Sequence, residues 1–228
     1  MTDLKKGRPI RSYVLRTGRM TPGQRRAFEK GWEQWGIDYS PAEIDLDTVF
    51  GRTGPLVLEI GFGMGQSLVA MAQADADSNY IGIEVHRPGV GRLLHSMAEH
   101  NVDNIRLYCH DAVEVLKNCI PDDSLATVQI FFPDPWHKKR HNKRRLIQPA
   151  FVQQLVTKLE PEGVLHLATD WEDYAHQMME VLSDAEGLSN TCGEGLFSAR
   201  PDRRPLTKFE LRGERLGHGV WDLVFCRS

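Results

Sequence analysis

The residue best placed for chemistry is Asp134, because it lies between two prolines after an apolar segment. The segment Ala126–Phe132 is predicted as a strand, and Pro133 and Pro135 flank the aspartate. Proline has a fixed φ and cannot donate a hydrogen bond to a sheet, so the strand must end here. We therefore expect the Asp134 carboxylate to be held at the end of the strand, where a fixed charge can act on a bound molecule.

A glycine-rich loop, Gly61-Phe62-Gly63-Met64-Gly65, joins a predicted strand to a predicted helix. Glycines let the backbone turn sharply and approach a ligand, and the following helix offers unpaired N–H groups. Such a turn can also serve only to connect a strand with a helix. The dinucleotide motif G-x-G-x-x-G places its third glycine one residue later, so this spacing favours a different adenosyl cofactor.

Three acidic residues narrow the choice of cofactor. Glu84 ends the next predicted strand and can accept hydrogen bonds from ribose hydroxyls. Asp111 follows the third strand and can accept from an adenine amino group, and Glu59 precedes the glycines and suits a cationic ligand. S-adenosylmethionine carries a sulfonium and an ammonium group and no phosphate, so these acids would attract it. Alone, each acid is also compatible with a solvated strand end.

Positive charge is concentrated in two segments of a chain whose formal charge is −3. Residues 1–31 contain nine basic and two acidic residues, and residues 137–145 contain six basic residues and no acid. This asymmetry indicates a polyanionic partner. Trp136 could stack on a base or fill a hydrophobic corner. The residues predicted to contact RNA are Arg140, His141, Asn142, Lys143, Arg144 and Arg145.

Other classes of protein fit the sequence less well. No apolar run approaches the ~18 residues of a membrane helix, and the first ten residues are polar and basic. His137 and His141 have a spacing found in metal sites, but the surrounding cations oppose a divalent ion, and we expect no metal. We expect a cytoplasmic protein with free thiols at Cys109, Cys119, Cys192 and Cys226.

Predicted strands and helices alternate from residue 56 onward. The pattern predicts an α/β fold with a doubly wound, Rossmann-like sheet that is mostly parallel, with ligands at the carboxyl ends of its strands. Residues 1–50 are predicted as a basic extension that packs only in part, and residues 51–228 as the domain. The predicted strands are Leu56–Ile60, Tyr80–Glu84, Ile105–Cys109, Ala126–Phe132, Gly163–Ala168, Leu188–Cys192 and Val220–Cys226. The predicted helices are Gln66–Gln73, Gly89–His100, Ala112–Asn118, Pro149–Leu159 and Glu172–Ser183.

Together, the motifs resemble the bacterial tRNA (guanine-N7-)-methyltransferases of the TrmB type. The resemblance rests on the glycine loop, on Pro133-Asp134-Pro135-Trp136-His137-Lys138 with the basic residues after it, and on Thr207-Lys208-Phe209-Glu210. It extends from about Arg11 to Phe225, nearly the whole chain. It implies a class I methyltransferase fold with a seven-stranded sheet, S-adenosylmethionine as methyl donor, and the variable-loop guanine of tRNA as acceptor.

The resemblance also implies roles for individual residues. Glu59, Glu84, Asp111 and Asp134 would contact the cofactor, with Asp134 also the catalytic residue. The glycines predicted beside the cofactor are Gly61, Gly63 and Gly65. The residues implied for the substrate are Lys138, Asp170, Thr207, Lys208, Phe209 and Glu210.

Three other functions stay open at this point. Asp134-Pro135-Trp136 is similar to the Asn/Asp-Pro-Pro-aromatic motif of methyltransferases that act on an exocyclic amine of a base. An NAD-dependent oxidoreductase is disfavoured by acids where a pyrophosphate would lie. An RNA-binding protein without catalysis is the third alternative. The sequence leaves open whether the chain is a monomer or a homodimer.

Overall fold

The computed structural model describes residues 11–13, 18–206, 210 and 219–228. Within these residues the chain alternates between strands and helices. The strands are β1 (Leu56–Ile60), β2 (Asn79–Ile83), β3 (Ile105–Tyr108), β4 (Leu125–Phe131), β5 (Leu159–Thr169), β6 (Leu188–Asn190) and β7 (Trp221–Arg227). The helices are α1 (Pro22–Trp35), α2 (Leu46–Phe50), α3 (Gln66–Ala74), α4 (Arg87–His100), α5 (Ala112–Asn118), α6 (Pro149–Lys158) and α7 (Glu172–Ser183), with a 3₁₀ helix over Lys139–Arg144.

The strands form one sheet of seven in the order β3-β2-β1-β4-β5-β7-β6. Strands β1 to β5 pair in parallel, and β7 is antiparallel to both of its neighbours. The chain order reverses between β1 and β4, which creates a crevice at the carboxyl ends of these strands. This architecture confirms the predicted doubly wound, mostly parallel sheet.

Helices cover both faces of the sheet. One apolar layer contains buried residues of α3 and α4, and the opposite layer contains those of α5, α6 and α7. All residues of β1 and β2 are buried, as expected for parallel strands covered on both sides. A ligand can therefore contact the sheet at the carboxyl ends of its strands.

The predicted ends of α5 and α7 agree with the structure, whereas several strand ends differ. Strand β4 ends at Phe131 because Phe132 adopts a left-handed φ of 52°, which a strand cannot contain. Strand β5 begins at Leu159, earlier than predicted, and includes an irregular pairing with β4. Strand β6 is shorter than predicted and ends at Asn190.

Helices α1 and α2 lie in the segment predicted as a partly packed extension. Helix α1 begins with a capping box, in which Thr21 and Gln24 exchange hydrogen bonds between side chain and backbone. Its Gly31 packs against Leu94 of α4, and Trp35 is buried. Thr21-Pro22-Gly23-Gln24 is a helix-start signal that the sequence analysis missed.

The described residues contain neither a membrane-spanning helix nor a group of side chains suited to a metal ion. None of the helices described is both long and apolar enough to cross a membrane. The described ranges also contain no group of three side chains that could hold a metal ion.

Candidate active site

A cleft of about 630 Å³ lies at the carboxyl ends of β1 to β4, where the strand order reverses. The elements around it are distant in sequence, and the sheet brings their ends together. Its lining includes Tyr13, Gly61, Glu84, Asp111, Asp134 and His137. The structure therefore gathers Gly61 of the glycine loop, Glu84, Asp111 and Asp134 around one cavity. The other predicted cofactor residues, Glu59, Gly63 and Gly65, do not line it.

The glycine loop turns tightly from β1 into α3. Gly65 precedes α3 with a φ of 75°, and a Cβ atom there would lie 2.6 Å from Leu93 Cδ1 of α4. Any side chain at this position would therefore be strained and would also push α4 away.

Glu84 supports the loop with its carboxylate. It accepts hydrogen bonds from the backbone N–H of Gly63 at 2.9 Å, Val85 at 2.7 Å and His86 at 2.9 Å. An ionised carboxylate has about four acceptor positions, so roughly one remains for a ligand. The predicted ribose contact is therefore combined with a structural role that the sequence analysis missed.

Glu59 lies on β1 and is buried, and its Oε2 atom has no hydrogen-bond partner within the described part of the chain. Burial, and after it the charge of Glu84, raises the pKa of Glu59 to about 8. The carboxyl group is therefore mostly neutral at pH 7. Gln129 of β4 is paired opposite Glu59, and its Oε1 atom also lacks a partner among the residues described. These buried acceptors suit a ligand that brings hydrogen-bond donors.

Asp111 follows β3 and is the N-cap of α5. Its side chain accepts a hydrogen bond from the backbone N–H of Val113 at 3.1 Å. This bond holds the carboxylate at the wall of the cleft, where the predicted adenine contact requires it. As with Glu84, one side chain supports the local fold and lines the cavity.

Asp134 is exposed at the cleft, and the backbone on both sides of its two prolines is strained. Phe132 and Trp136 have φ values of 52° and 48°, in the left-handed region that costs a non-glycine residue roughly 1–2 kcal/mol. The Phe132 N–H donates to the Ala168 carbonyl of β5 at 2.8 Å, which anchors the loop to the sheet. The expectation that Asp134 is held at the end of β4 is confirmed.

Trp136 is occupied by protein contacts. The Arg144 guanidinium lies 4.0 Å from its ring centroid, and its Nε1–H donates to the Ser12 carbonyl at 3.1 Å. Arg144 also donates from Nε to the carbonyl of Arg11. Two roles were left open for Trp136, and these contacts favour packing over base stacking. They also hold residues 11 and 12 of the N-terminal segment beside the cleft.

The basic loop presents most of its charge to solvent. Its exposed side chains are Lys138, Lys139, Arg140 and Lys143, and the half-buried ones are His141, Asn142 and Arg144. This arrangement agrees with the expectation of a cationic surface beside the cleft.

The position of Arg145 contradicts its prediction as a residue that contacts RNA. Its place in the basic segment predicts an RNA-facing side chain, but that side chain is only 2% exposed. The guanidinium donates to Asp173 and Gln177 of α7, at 2.5 Å each, and to the Pro135 carbonyl at 2.8 Å. Arg145 therefore joins α7 to the loop that carries Asp134, and its charge is used inside the protein.

The residues implied for the substrate fall into three groups. Asp170 is exposed directly after β5, and Lys138 is exposed directly before the 3₁₀ helix. Thr207, Lys208 and Phe209 lie outside the described residues. Glu210, for which the resemblance implies a substrate contact, is buried, and its Oε1 lies 2.6 Å from Arg204 Nη1.

A buried charged cluster around Arg204 was missed by the sequence analysis. Arg204 donates from Nε and Nη2 to the two carboxylate oxygens of Asp222 on β7, at 2.8 Å each. Asp222 also bonds to His166 Nε2 on β5 at 2.7 Å. The one sequence feature that indicates this cluster is an acidic residue, Asp222, within the apolar segment Trp221-Asp222-Leu223-Val224-Phe225.

Comparisons with known proteins identify the family. A family model described as "Putative methyltransferase" matches residues 53–223. A tRNA (guanine-N(7)-)-methyltransferase from Alcanivorax borkumensis is 58% identical over 218 residues, covering 96% of this chain and 91% of the relative. The protein of the same name from Aeromonas hydrophila subsp. hydrophila is 60% identical over 225 residues, covering 99% and 95%. The chain belongs to the tRNA (guanine-N7-)-methyltransferase family.

Solved structures agree on the fold of this family member. The crystal structure of the 16S rRNA methyltransferase KamB matches with a TM-score of 0.57 and 12% identity, and it covers 94% of this chain and 97% of that one. At this identity the likeness concerns the fold alone. It confirms the class I methyltransferase architecture that the family resemblance implies.

Proposed function

We propose that this protein transfers a methyl group from S-adenosylmethionine to N7 of a guanine in tRNA, the guanine of the variable loop. One observation carries the proposal: an exposed Asp134 lies at the mouth of a cleft that is also lined by Gly61 of the glycine loop and by Glu84. The names of the family's members support the same reaction. Since tRNA is the substrate, we expect the protein to act in the cytoplasm.

The cleft suits S-adenosylmethionine in size and in chemistry. Its volume lies within the usual ~300–1,000 Å³ of small-molecule sites. Glu84 and Asp111 present carboxylates to the cleft at the strand ends. Glu59 is buried in β1 next to the lining residue Ile60, and its Oε2 has no partner in the described chain. When bound, the cofactor would supply an electrophilic methyl group on a positively charged sulfur.

The residues around the cleft would then orient the acceptor and stabilise charge. Guanine N7 has a lone pair and no proton at neutral pH, so its methylation requires no general base. Positive charge moves onto the purine during the reaction, and a fixed carboxylate such as Asp134 lowers the free energy of that charge. The two prolines and the hydrogen bond from the Phe132 N–H to the Ala168 carbonyl fix the backbone beside Asp134, which reduces the cost of alignment during the reaction.

Incubation with labelled S-adenosylmethionine and bulk tRNA that lacks the modification tests the proposal. We expect one methyl group per tRNA molecule that has the variable-loop guanine, and nucleoside analysis should identify 7-methylguanosine. A methylated exocyclic amine would instead support the alternative methyltransferase. Cofactor binding without transfer to any RNA would support the non-catalytic alternative.

Binding of the cofactor should release a proton from Glu59. At about pH 7 the buried group is mostly protonated, and a nearby ammonium group favours the ionised form. Calorimetry in two buffers with different ionisation enthalpies should therefore show release of close to one proton by the wild type. Glu59→Gln should show almost none. Persistent release in that variant would assign the proton to another group and would contradict the prediction.

The same pKa has a consequence for stability. Because the pKa of Glu59 is raised in the folded protein, its neutral form stabilises the fold most below its ordinary value of 4.5. That contribution should be lost as the pH rises through about 8. The free energy of unfolding of Glu59→Gln should therefore depend less on pH than that of the wild type between pH 4.5 and about 8. Urea titrations without cofactor would measure it.

We also propose that the basic N-terminal extension binds tRNA phosphates. Helix α1 exposes Arg25, Arg26 and Lys30, and Gln24 of this helix packs against Gly91 near the start of α4, beside the cleft. Replacing the three basic residues with glutamine should reduce the log–log slope of tRNA affinity against salt by about 0.7–0.9 for each phosphate that is no longer neutralised. These substitutions leave Gly31 and Trp35 in place, so the packing of α1 is preserved.

Binding titrations between about 50 and 200 mM salt would measure this change. Glu29→Gln, an exposed substitution on the same helix, is the matched control and should leave the slope nearly unchanged. Cofactor affinity should be the same in all these variants. An unaltered slope in the triple variant would show that α1 packs on the domain without contacting tRNA.

A further inference from the structure

Trp171 is an exposed aromatic residue beside the proposed site. It follows Asp170 at the end of β5, and 38% of it is accessible to solvent. Strand β5 pairs with β4, whose Phe131 lies opposite Ala168, so the chains leaving these strands run side by side. One leads to Asp134 and the other to Asp170 and Trp171. Among the described residues, Trp171 is the aromatic member of the exposed large apolar side chains.

The position of Trp171 is constrained from one side. The His137 ring lies 4.2 Å from the Trp171 ring, centroid to centroid, at an interplanar angle of 68°. The backbone N–H of Trp171 donates to Thr169 Oγ1 at 3.2 Å, and α7 begins at the next residue. His137 itself lines the cleft. An exposed ring is thus held next to the cavity without closing it.

Other aromatic rings near Asp134 are already in contact with cations. Arg144 covers Trp136, and Arg204 lies 5.8 Å and 5.6 Å from the ring centroids of Phe131 and Phe132. Trp171 has no such cation in the described structure. Its ring would instead be available to a cation that forms on the bound substrate.

Methylation at N7 produces such a cation. The N7 lone pair forms the new N–C bond while the C–S bond breaks, and the electron pair of that bond goes to sulfur. The sulfonium charge is thereby transferred to the purine. The face of a tryptophan attracts cations more strongly than those of the other aromatic side chains, and stacking also orients a flat base. An interaction that strengthens as charge develops raises the rate of the chemical step.

We propose that Trp171 is the platform on which the acceptor guanine stacks, and that its ring stabilises the purine cation formed on methylation. The inference rests on the proposed N7 methylation. The exposed carboxylates of Asp134 and Asp170 lie on the two chain segments that leave β4 and β5 side by side. Trp171 would therefore act as a catalytic residue together with Asp134.

Three variants with different side chains test the platform. Trp171→Ala removes the ring, Trp171→Leu keeps apolar volume without a π face, and Trp171→Phe keeps a smaller ring. We expect kcat/KM for tRNA to fall about 10- to 100-fold in the alanine and leucine variants, with part of the loss in kcat at saturating tRNA. The phenylalanine variant should recover most of the rate.

Cofactor affinity and melting temperature should be close to wild type in all three variants, because the side chain is largely exposed. Leu196→Ala, an exposed apolar substitution after β6 at the far edge of the sheet, is the matched control and should leave both rate constants unchanged. Wild-type rates in the alanine variant would overturn the inference. A leucine variant as active as phenylalanine would show that bulk alone matters and would also overturn it.

Failure of the proposed function would appear differently. Wild-type protein that forms no 7-methylguanosine in tRNA would refute the reaction itself before any variant is compared. A fully active wild type with indifferent Trp171 variants would refute the platform alone.

Discussion

Asp134→Asn should slow methyl transfer about 10²- to 10³-fold while tRNA still binds, because the variant keeps the size of the side chain and removes its charge. Asp134→Ala should be at least as slow. The carboxylate is exposed at the cleft and lies between strained residues, so neither substitution removes a buried contact. Single-turnover rates at saturating cofactor and tRNA would measure the effect.

The pH profile separates charge stabilisation from proton removal at Asp134. Because guanine N7 carries no proton, the wild-type single-turnover rate should be flat from about pH 6 to 8 at saturating cofactor. A log-linear rise across this range that disappears in Asp134→Asn would show that a proton is removed. That result would favour an exocyclic amine as acceptor. Asp184→Asn, an exposed substitution just after the far end of α7, should leave both rate and profile unchanged.

Arg204→Met should lower the free energy of unfolding by about 3–5 kcal/mol, because it leaves the buried carboxylates of Asp222 and Glu210 without this cation. Burial opposes ionisation of Asp222, but hydrogen bonds from His166 and Arg204 outweigh it, so the pKa of Asp222 lies below its ordinary value. Removal of Arg204 takes away two of those bonds. Urea denaturation would measure the loss.

The Arg204 prediction has two controls. Asp123→Asn breaks an ion pair with Arg227 in which the side chains of the acid and the base are 59% and 24% exposed, and it should cost no more than about 1 kcal/mol. In the double variant Arg204→Met/Asp222→Asn, the loss should be smaller than the sum of the single losses, because the two residues form one network. Additive losses would show that Arg204 and Asp222 act independently.

Loss of Arg204 should also affect the active site. Its guanidinium lies against Phe131 and Phe132, which lead from β4 to Asp134. At a temperature where Arg204→Met is still folded, we expect slower methyl transfer with little change in cofactor affinity. Three of the acids proposed for the cofactor, Glu59, Glu84 and Asp111, belong to β1 or follow β2 and β3, on the other side of the crevice from β5 and β7.

Much of the fold and of the cofactor site could be predicted from local sequence. Alternating apolar runs and amphipathic helices indicate a parallel sheet, and such a sheet places the carboxyl ends of β1 to β4 at one edge. Acids at strand ends, such as Glu84 and Asp111, must then lie near the glycine loop. The left-handed Phe132 was not predictable, because its strain is maintained by tertiary contacts of the neighbouring strands.

The sequence by itself determined the strand–helix order, the glycine turn, the acids at the cleft and the family resemblance, since these depend on residue type and spacing along the chain. Only the tertiary structure decided which charged and aromatic side chains stay exposed and which are engaged in contacts within the protein. Arg145 and Glu210 are buried in ion pairs, and Trp136 is covered by Arg144, while Trp171 stays open. A buried charge requires partners that are distant in sequence, so its role depends on long-range packing rather than on the motif around it.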